Sequence, residues 1–137
     1  MNTFRKWAWA YTALFLGVVA LGYIPGFTDK DGNLFGLFRI ELKDDILHLG
    51  SAIWAAMAAW RSEWASRFYF RFFGSVYFLD GILGFLFGQA ILDGGLFLFG
   101  ITSRDLLGNL PANIPHLIIG GLAVWVGFVF CPKLAQP

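Results

Sequence analysis

Residues 72–92 read Phe-Phe-Gly-Ser-Val-Tyr-Phe-Leu-Asp-Gly-Ile-Leu-Gly-Phe-Leu-Phe-Gly-Gln-Ala-Ile-Leu. Across these 21 residues the only charge is Asp80 and the only amide is Gln89. A bilayer core about 30 Å thick takes about 20 apolar residues in a helix, so the run predicts a membrane span. Three further runs resemble it. The first covers 7–27 and holds no charge. The second covers 46–60 and can continue to 64. The fourth covers 114–131. The second and fourth are short, which places their ends near the headgroups or thins the bilayer locally.

Composition agrees with this reading. Hydrophobic residues are 58% of the 137 and charged residues 14%, where a soluble domain carries about 25% charged residues. Sixteen Phe and six Trp suit lipid-facing helices and interfacial belts. A net charge of +1 gives no reason to expect a polyanion binder or a nucleic-acid partner. The single cysteine, Cys131, excludes an intrachain disulfide and reads as a small packing residue. Arg5 and Lys6 ahead of the first run resemble the start of a signal peptide, but the apolar stretch is longer than a signal core. It also has a partner in a duplication, so it reads as part of the fold.

Charge sets the orientation. Arg5, Lys6, Arg61, Arg67, Arg71 and Lys133 fall on one side of the four spans, and Lys30, Arg39, Lys43 and Arg104 on the other. The richer side is cytoplasmic by the positive-inside rule, so both termini point to the cytoplasm. Seven acidic residues, among them Asp29, Glu41, Asp44, Asp45 and Asp93, gather on the outer side. These acids read as a solvated face, and the arginines of the 61–71 loop as partners of anionic lipid headgroups.

The two halves look alike. Asp31-Gly32-Asn33-Leu34-Phe35 recurs as Asp93-Gly94-Gly95-Leu96-Phe97. Asp45-Ile46-Leu47-His48-Leu49 recurs as Asn113-Ile114-Pro115-His116-Leu117, and the fourth residue after each histidine is small, Ala52 and Gly120. Asp45 and Asn113 are good helix N-caps, which places each histidine in a first turn. The sequence thus predicts an all-α fold: an integral membrane four-helix bundle forming one transmembrane domain over 1–137. It is made of two parallel helix-loop-helix repeats, 7–64 and 72–131.

Two stretches carry a resemblance. One is Leu34-Phe35-Gly36-Leu37-Phe38 with Ile46-Leu47-His48-Leu49-Gly50. The other is Leu106-Leu107-Gly108-Asn109-Leu110-Pro111-Ala112-Asn113 with His116-Leu117. Together they resemble an uncharacterised family of bacterial four-span membrane proteins, a domain of unknown function. That family carries a duplicated Leu-Gly-Leu-Phe, Asn, His-Leu, Gly signature. The first copy departs from it, with Glu41 and Asp45 where Asn is expected. The resemblance implies a multi-pass protein of the bacterial cytoplasmic (inner) membrane and implies no activity.

His48 and His116 are the only histidines and hold matching places. Facing inward they suit the two axial positions of haem b, or a metal of unknown identity. The plain alternative is that each bonds to a loop and fixes its helix entry. Asp80 stands eight residues into the third run, about 12 Å from its inner end. That depth argues against a pair with either histidine and favours Tyr11, Thr12, Tyr77 or Trp60 as its neighbour. A carboxylate inside the membrane is costly and marks a candidate proton or ion site; a hydrogen-bonded structural role is the alternative. Gln89 lies at the depth of the histidines. Gly81, Gly84 and Gly88 on the third run and Gly120 on the fourth suit close helix packing, as does the Ser51, Ala55, Ala59 series.

There is no phosphate-binding loop, nucleophile elbow, zinc-protease motif or dinucleotide fingerprint. No catalytic residue is assigned. Three functions follow. The first is a non-enzymatic structural or accessory subunit, packed against itself or a larger membrane complex through its small-residue faces. The second is a b-type haem electron carrier using His48 and His116. The third is a proton- or ion-linked transporter using Asp80.

Overall fold

A computed structural model describes residues 1–130. Cys131, the last residue of the second repeat, and Lys133 lie outside the described residues. The fold is all-α but for one small hairpin. Helix α1 spans Thr3–Tyr23, and its N-cap Asn2 accepts from the Arg5 amide. A loop follows with β1 (Asn33–Leu34) and β2 (Phe38–Arg39), paired antiparallel in the register Asn33 to Arg39. Phe35 and Gly36 turn this hairpin with φ of 55° and 69°. The Asp29 carboxylate braces the loop by accepting from the Asn33 side chain and the Asp31 and Asn33 amides. Those bonds favour the charged form and hold Asp29 below its ordinary pKa.

Helix α2 spans Leu42–Arg61 and α3 spans Glu63–Phe87. Only Ser62 separates them. Its extended backbone breaks the helix, and its hydroxyl accepts from the Ala65 amide to start the next. The expected 61–71 loop is therefore one residue long. Arg67 and Arg71 instead sit on α3, and both donate through Nε to the Gly127 carbonyl, at 3.4 and 2.9 Å. Arg5 does the same for α2, reaching the carbonyls of Ala59 and Trp60. These carbonyls are the unpaired groups at helix C-termini, where a cation is stabilising.

Helix α3 ends at Phe87, five residues before the end of the apolar run, and is capped by Gly88 (φ 74°). The chain turns back there into α4 (Gly95–Phe99), and α5 covers Leu106–Val124 before a π-helical turn over Trp125–Val129. The N-cap positions are Glu41 and Asp105, not Asp45 and Asn113. Asp45 and Asn113 are buried inside their helices, so each helix starts earlier than the cap motif suggests. His48 and His116 are thus set further along, beyond the first turn. Pro111 and Pro115 both lie within α5.

Two antiparallel pairs, α1 with α2 and α3 with α5, form the body. Arg5 meets Ala59 while Phe15 stacks on His48; Arg67 meets Gly127 while Tyr77 packs on His116. The pairs join through an aromatic core in which Tyr11, Phe15, Tyr69, Phe70, Phe73 and Tyr77 are all buried. The Tyr11 hydroxyl crosses to α5 and donates to the Ile119 carbonyl at 2.7 Å.

The α3–α5 seam brings backbone against backbone. A Cβ on Gly81 would stand 2.9 Å from the Leu117 nitrogen, and one on Gly120 would stand 2.7 Å from the Phe78 Cα. Gly84 sits against Asn113, and Gly74 and Gly127 make equally close approaches. Gly88 has a different role, as the left-handed end of α3 beside Ser103. On the α1–α2 side Ala52, Ala55 and Ala59 are buried. Two helices, Glu63–Phe87 and Leu106–Val129, are long and apolar enough to cross a membrane. Helix α2 is not, because its early start takes in Lys43, Asp44 and Asp45.

The Gly120→Ala substitution is expected to destabilise the protein by about 1–3 kcal/mol, because the methyl meets fixed backbone rather than a movable side chain. Gly17→Ala, where nothing lies within 4 Å of the added carbon, is expected to be neutral or stabilising. Thermal denaturation in mild detergent separates the two, and equal melting temperatures would count against the seam.

Candidate functional site

Asp80 is fully buried on α3. It lies 17 residues into a helix that starts at Glu63, about 25 Å along it at 1.5 Å per residue. This corrects the depth expected from the apolar run alone. Asp80 stands near the C-terminal end of α3, level with His116. None of Tyr11, Thr12 and Trp60 is its partner: Tyr11 bonds to α5, Thr12 to the Ala8 carbonyl, and Trp60 is exposed.

The partner is His116. Its Nδ1 lies 2.7 Å from Asp80 Oδ2. The two atoms share one hydrogen bond, in which Nδ1 donates when the carboxylate is ionised. Nε2 has no hydrogen-bond partner among the described residues. The second carboxylate oxygen, Oδ1, accepts from the backbone amides of Ile91 and Leu92 at 2.8 and 2.7 Å. These amides belong to the segment that turns back after Gly88. Asp80 thus joins α3, α5 and that returning segment at one point.

Both histidines line one cavity of about 510 Å³, with Asp80, Gln89 and Asn113. Gln89 has no hydrogen bond to either histidine among the described residues. Asn113 donates to the Asn109 carbonyl of its own helix. His48 stacks on Phe15 with ring centres 5.7 Å apart, and its Nδ1 is buried without a partner among the described residues. A buried polar group left unpaired is unfavourable and calls for a reason.

The rim of the cavity is charged. Lys43 Nζ lies 3.1 Å from Asp93 and 3.3 Å from Glu41, and Arg39 lies 3.0 Å from Glu41. The Lys43–Asp93 pair spans from α2 to the segment after α3. Burial pushes the Asp93 carboxyl up, but the Gly95 amide and the Lys43 ammonium outweigh it and hold the group below its usual range. The same pairing with Asp93 holds the Lys43 ammonium above its ordinary pKa. The rim pair therefore persists across the neutral range. It is lost when acid protonates Asp93 or strong base neutralises Lys43.

Among the described residues no three His, Cys, Asp or Glu side chains converge on a metal position. Gly81, Gly84 and Gly120 all serve the seam that carries this site. Gly81 directly follows Asp80 and packs on Leu117, next to His116. Comparison with protein-family models, curated proteins and solved structures finds no match for this chain.

Sequence reasoning placed Asp80 and His116 among the candidates but did not join them. Lys43 and Asp93 enter the sequence reading only as loop charges that set the orientation. The missing signal was the true start of α3.

Asp80→Ala removes the acceptor for two amides. Exchange of the Ile91 and Leu92 amides with solvent deuterium is expected to quicken at least about tenfold, since hydrogen bonds to a charged group contribute about 1.5–3 kcal/mol. Unchanged exchange there would show that the returning segment is held by something else.

Proposed function

We propose that the chain is a four-span protein of the bacterial inner membrane with both termini in the cytoplasm, and that its working centre is the Asp80–His116 pair. The pair acts as a proton-accepting unit at the floor of an outward-facing cavity. This is the proton- or ion-linked transporter reading. The 2.7 Å contact inside a 510 Å³ cavity carries it. A carboxylate beside an imidazole can take up a proton with little change in local hydrogen bonding, which is what proton relays in membranes use.

The accessory-subunit reading loses its main support. The glycine face of α3 packs against α5, and the alanine face of α2 is buried in the chain's own core. Neither is left over for a partner. The side chains that do face outward, such as Leu14, Met57, Trp60, Trp64 and Phe128, are large and apolar, as a lipid-facing surface is.

Four spans in two parallel repeats find support in one regular correspondence. Arg5 and Arg67 stand 62 residues apart, as do Phe15 and Tyr77, Gly26 and Gly88, and Gly32 and Gly94. All four of these glycines have positive φ. The partners of the first two pairs, Ala59 and Gly127 for the arginines and His48 and His116 for the rings, stand 68 apart. These two contacts in the first helix pair thus have counterparts in the second. A unit of two antiparallel helices begins and ends on the same side, so its duplicate keeps the same orientation. The arginines at the Arg5 and Arg67 end, against the acids at the other, support a cytoplasmic position for that end.

The test is proton flux into liposomes carrying the purified protein and an internal pH dye, after an imposed pH step. Flux is expected above that of empty liposomes and is expected to vanish in Asp80→Asn and in His116→Gln. Undiminished flux in Asp80→Asn would rule out this role.

One observation favours the haem reading as a second possibility. A carboxylate on Nδ1 is the usual orienting partner of a histidine that binds a metal through Nε2, and His48 lines the same cavity. The absorption spectrum of protein purified from haem-replete cells decides it: a haem carrier shows a Soret band that is lost in His116→Leu. A spectrum with no Soret band ends that reading.

A further inference from the structure

A second cavity of about 380 Å³ opens between α2 and α3. Its walls are almost all carbon, from Ile46, Leu47, Trp54, Phe72, Val76 and Leu92. Leu47 and Leu92 also line the polar cavity around His116, so the two spaces share a wall. Ile46 and Phe72 are exposed on the helix surface, so this groove opens sideways. On the four-span reading, on which this inference rests, it opens to lipid.

One buried polar atom of a residue that lines the groove is unexplained. Tyr77 lines it, is 1% exposed, and has a hydroxyl with no hydrogen-bond partner among the described residues. A buried hydroxyl without an acceptor is costly. An occupant that brings an acceptor to this point satisfies it.

We propose that the groove and the polar cavity together bind one neutral amphiphile, a prenylated quinone. Its tail lies between α2 and α3, and its ring oxygens meet the Tyr77 hydroxyl and His116. An apolar chain suits walls of Leu, Ile, Phe and Trp opening to the membrane. A flat ring suits the aromatic surfaces of Phe15 and Tyr77 beside the cavity. The quinone carbonyl accepts from Tyr77. With a proton on Nδ1, the His116 ring offers Nε2 as acceptor to the hydroxyl of the reduced form.

Charge argues against a phosphate headgroup. Glu41, Asp44 and Asp93 outnumber Arg39 and Lys43 among the residues lining the cavity, and both cations are already paired. An anionic head would meet net negative charge there.

The purified full chain in mild detergent is titrated with decylubiquinone while tryptophan fluorescence is followed, since Trp54 lines the groove. Saturable quenching is expected. Gly50 lines the same groove and has nothing within 4 Å of an added Cβ. Gly50→Phe therefore fills the groove while leaving the backbone in place, and is expected to weaken binding about tenfold or more. Tyr77→Phe keeps the ring and removes the donor, with a similar loss expected. Menadione, a head without a tail, is expected to bind more weakly than decylubiquinone. Quenching that never saturates, or that is unchanged in a folded Gly50→Phe protein, overturns the proposal. So does displacement of the quinone by phosphatidylglycerol at lower concentration, which would make a phosphate lipid the occupant. Saturable binding without proton flux leaves this inference standing and removes the proton-relay reading; flux without binding does the reverse.

Discussion

The Asp80 carboxylate accepts three hydrogen bonds, from His116 on α5 and from Ile91 and Leu92 in the returning segment. Burying a charge in a low-dielectric interior is strongly unfavourable unless donors replace the lost water. The chain supplies them only if α5 comes close to α3 and the segment after Gly88 folds back over both. Glycines make the first condition possible. Gly81 and Gly120 remove the side chains that would hold the two backbones apart, and Gly84 leaves room for Asn113. The second condition is met by Gly88, whose φ of 74° reverses the chain. The seam and the turn are thus prerequisites of the pair.

The opposite end of the bundle obeys the same electrostatic logic with the signs reversed. There α2 and α5 end, and their last carbonyls carry partial negative charge. Arg5 and Arg67 answer them from the neighbouring helices, with Arg71 adding to the second. Arg67 also lies over the Phe4 ring, and Arg71 over Phe128, so the arginine heads are held against protein. A positive end and an acidic end follow from helix termini.

Hydropathy and turn chemistry made the four long helices visible in the sequence, but not where they begin. The apolar run opens at Phe72, while the helix opens nine residues earlier at Glu63. Those residues include Arg67 and Arg71, whose charge reads as loop. Their guanidinium groups bind carbonyls across the bundle, so the helix carries them at no conflict. That error in the start moved Asp80 by more than a helical turn and hid its pairing with His116. The cap signals failed in a related way. Asp45 and Asn113 look like ideal N-caps, yet Glu41 and Asp105 lie at the starts, and the buried pair take partners inside: Asp45 accepts from the Tyr23 hydroxyl at 2.7 Å. A local motif is outcompeted when a buried donor or acceptor needs the same side chain. The small-residue faces read as packing surfaces in the sequence; that Gly81, Gly84 and Gly120 pack within the chain, and that Gly88 instead ends α3, are tertiary facts no periodicity contains.

On the two-repeat reading, the 62-residue spacing that maps Phe15 onto Tyr77 maps Val18 onto Asp80. Val18 lines the same cavity as Asp80, so the two occupy comparable places and differ in chemistry. His116 accordingly has a carboxylate, while His48 has a phenyl ring on one side and an unpaired Nδ1. A duplicated frame evolves toward symmetric packing, because each half solves the same burial problem. Breaking that symmetry with a buried charge works against stability unless something else is gained. The break falls in the lining of a cavity, beside a groove lined by Tyr77, whose hydroxyl has no partner among the described residues. Packing accounts for every matched pair in the two halves, but not for this unmatched one, and that is why function is placed here.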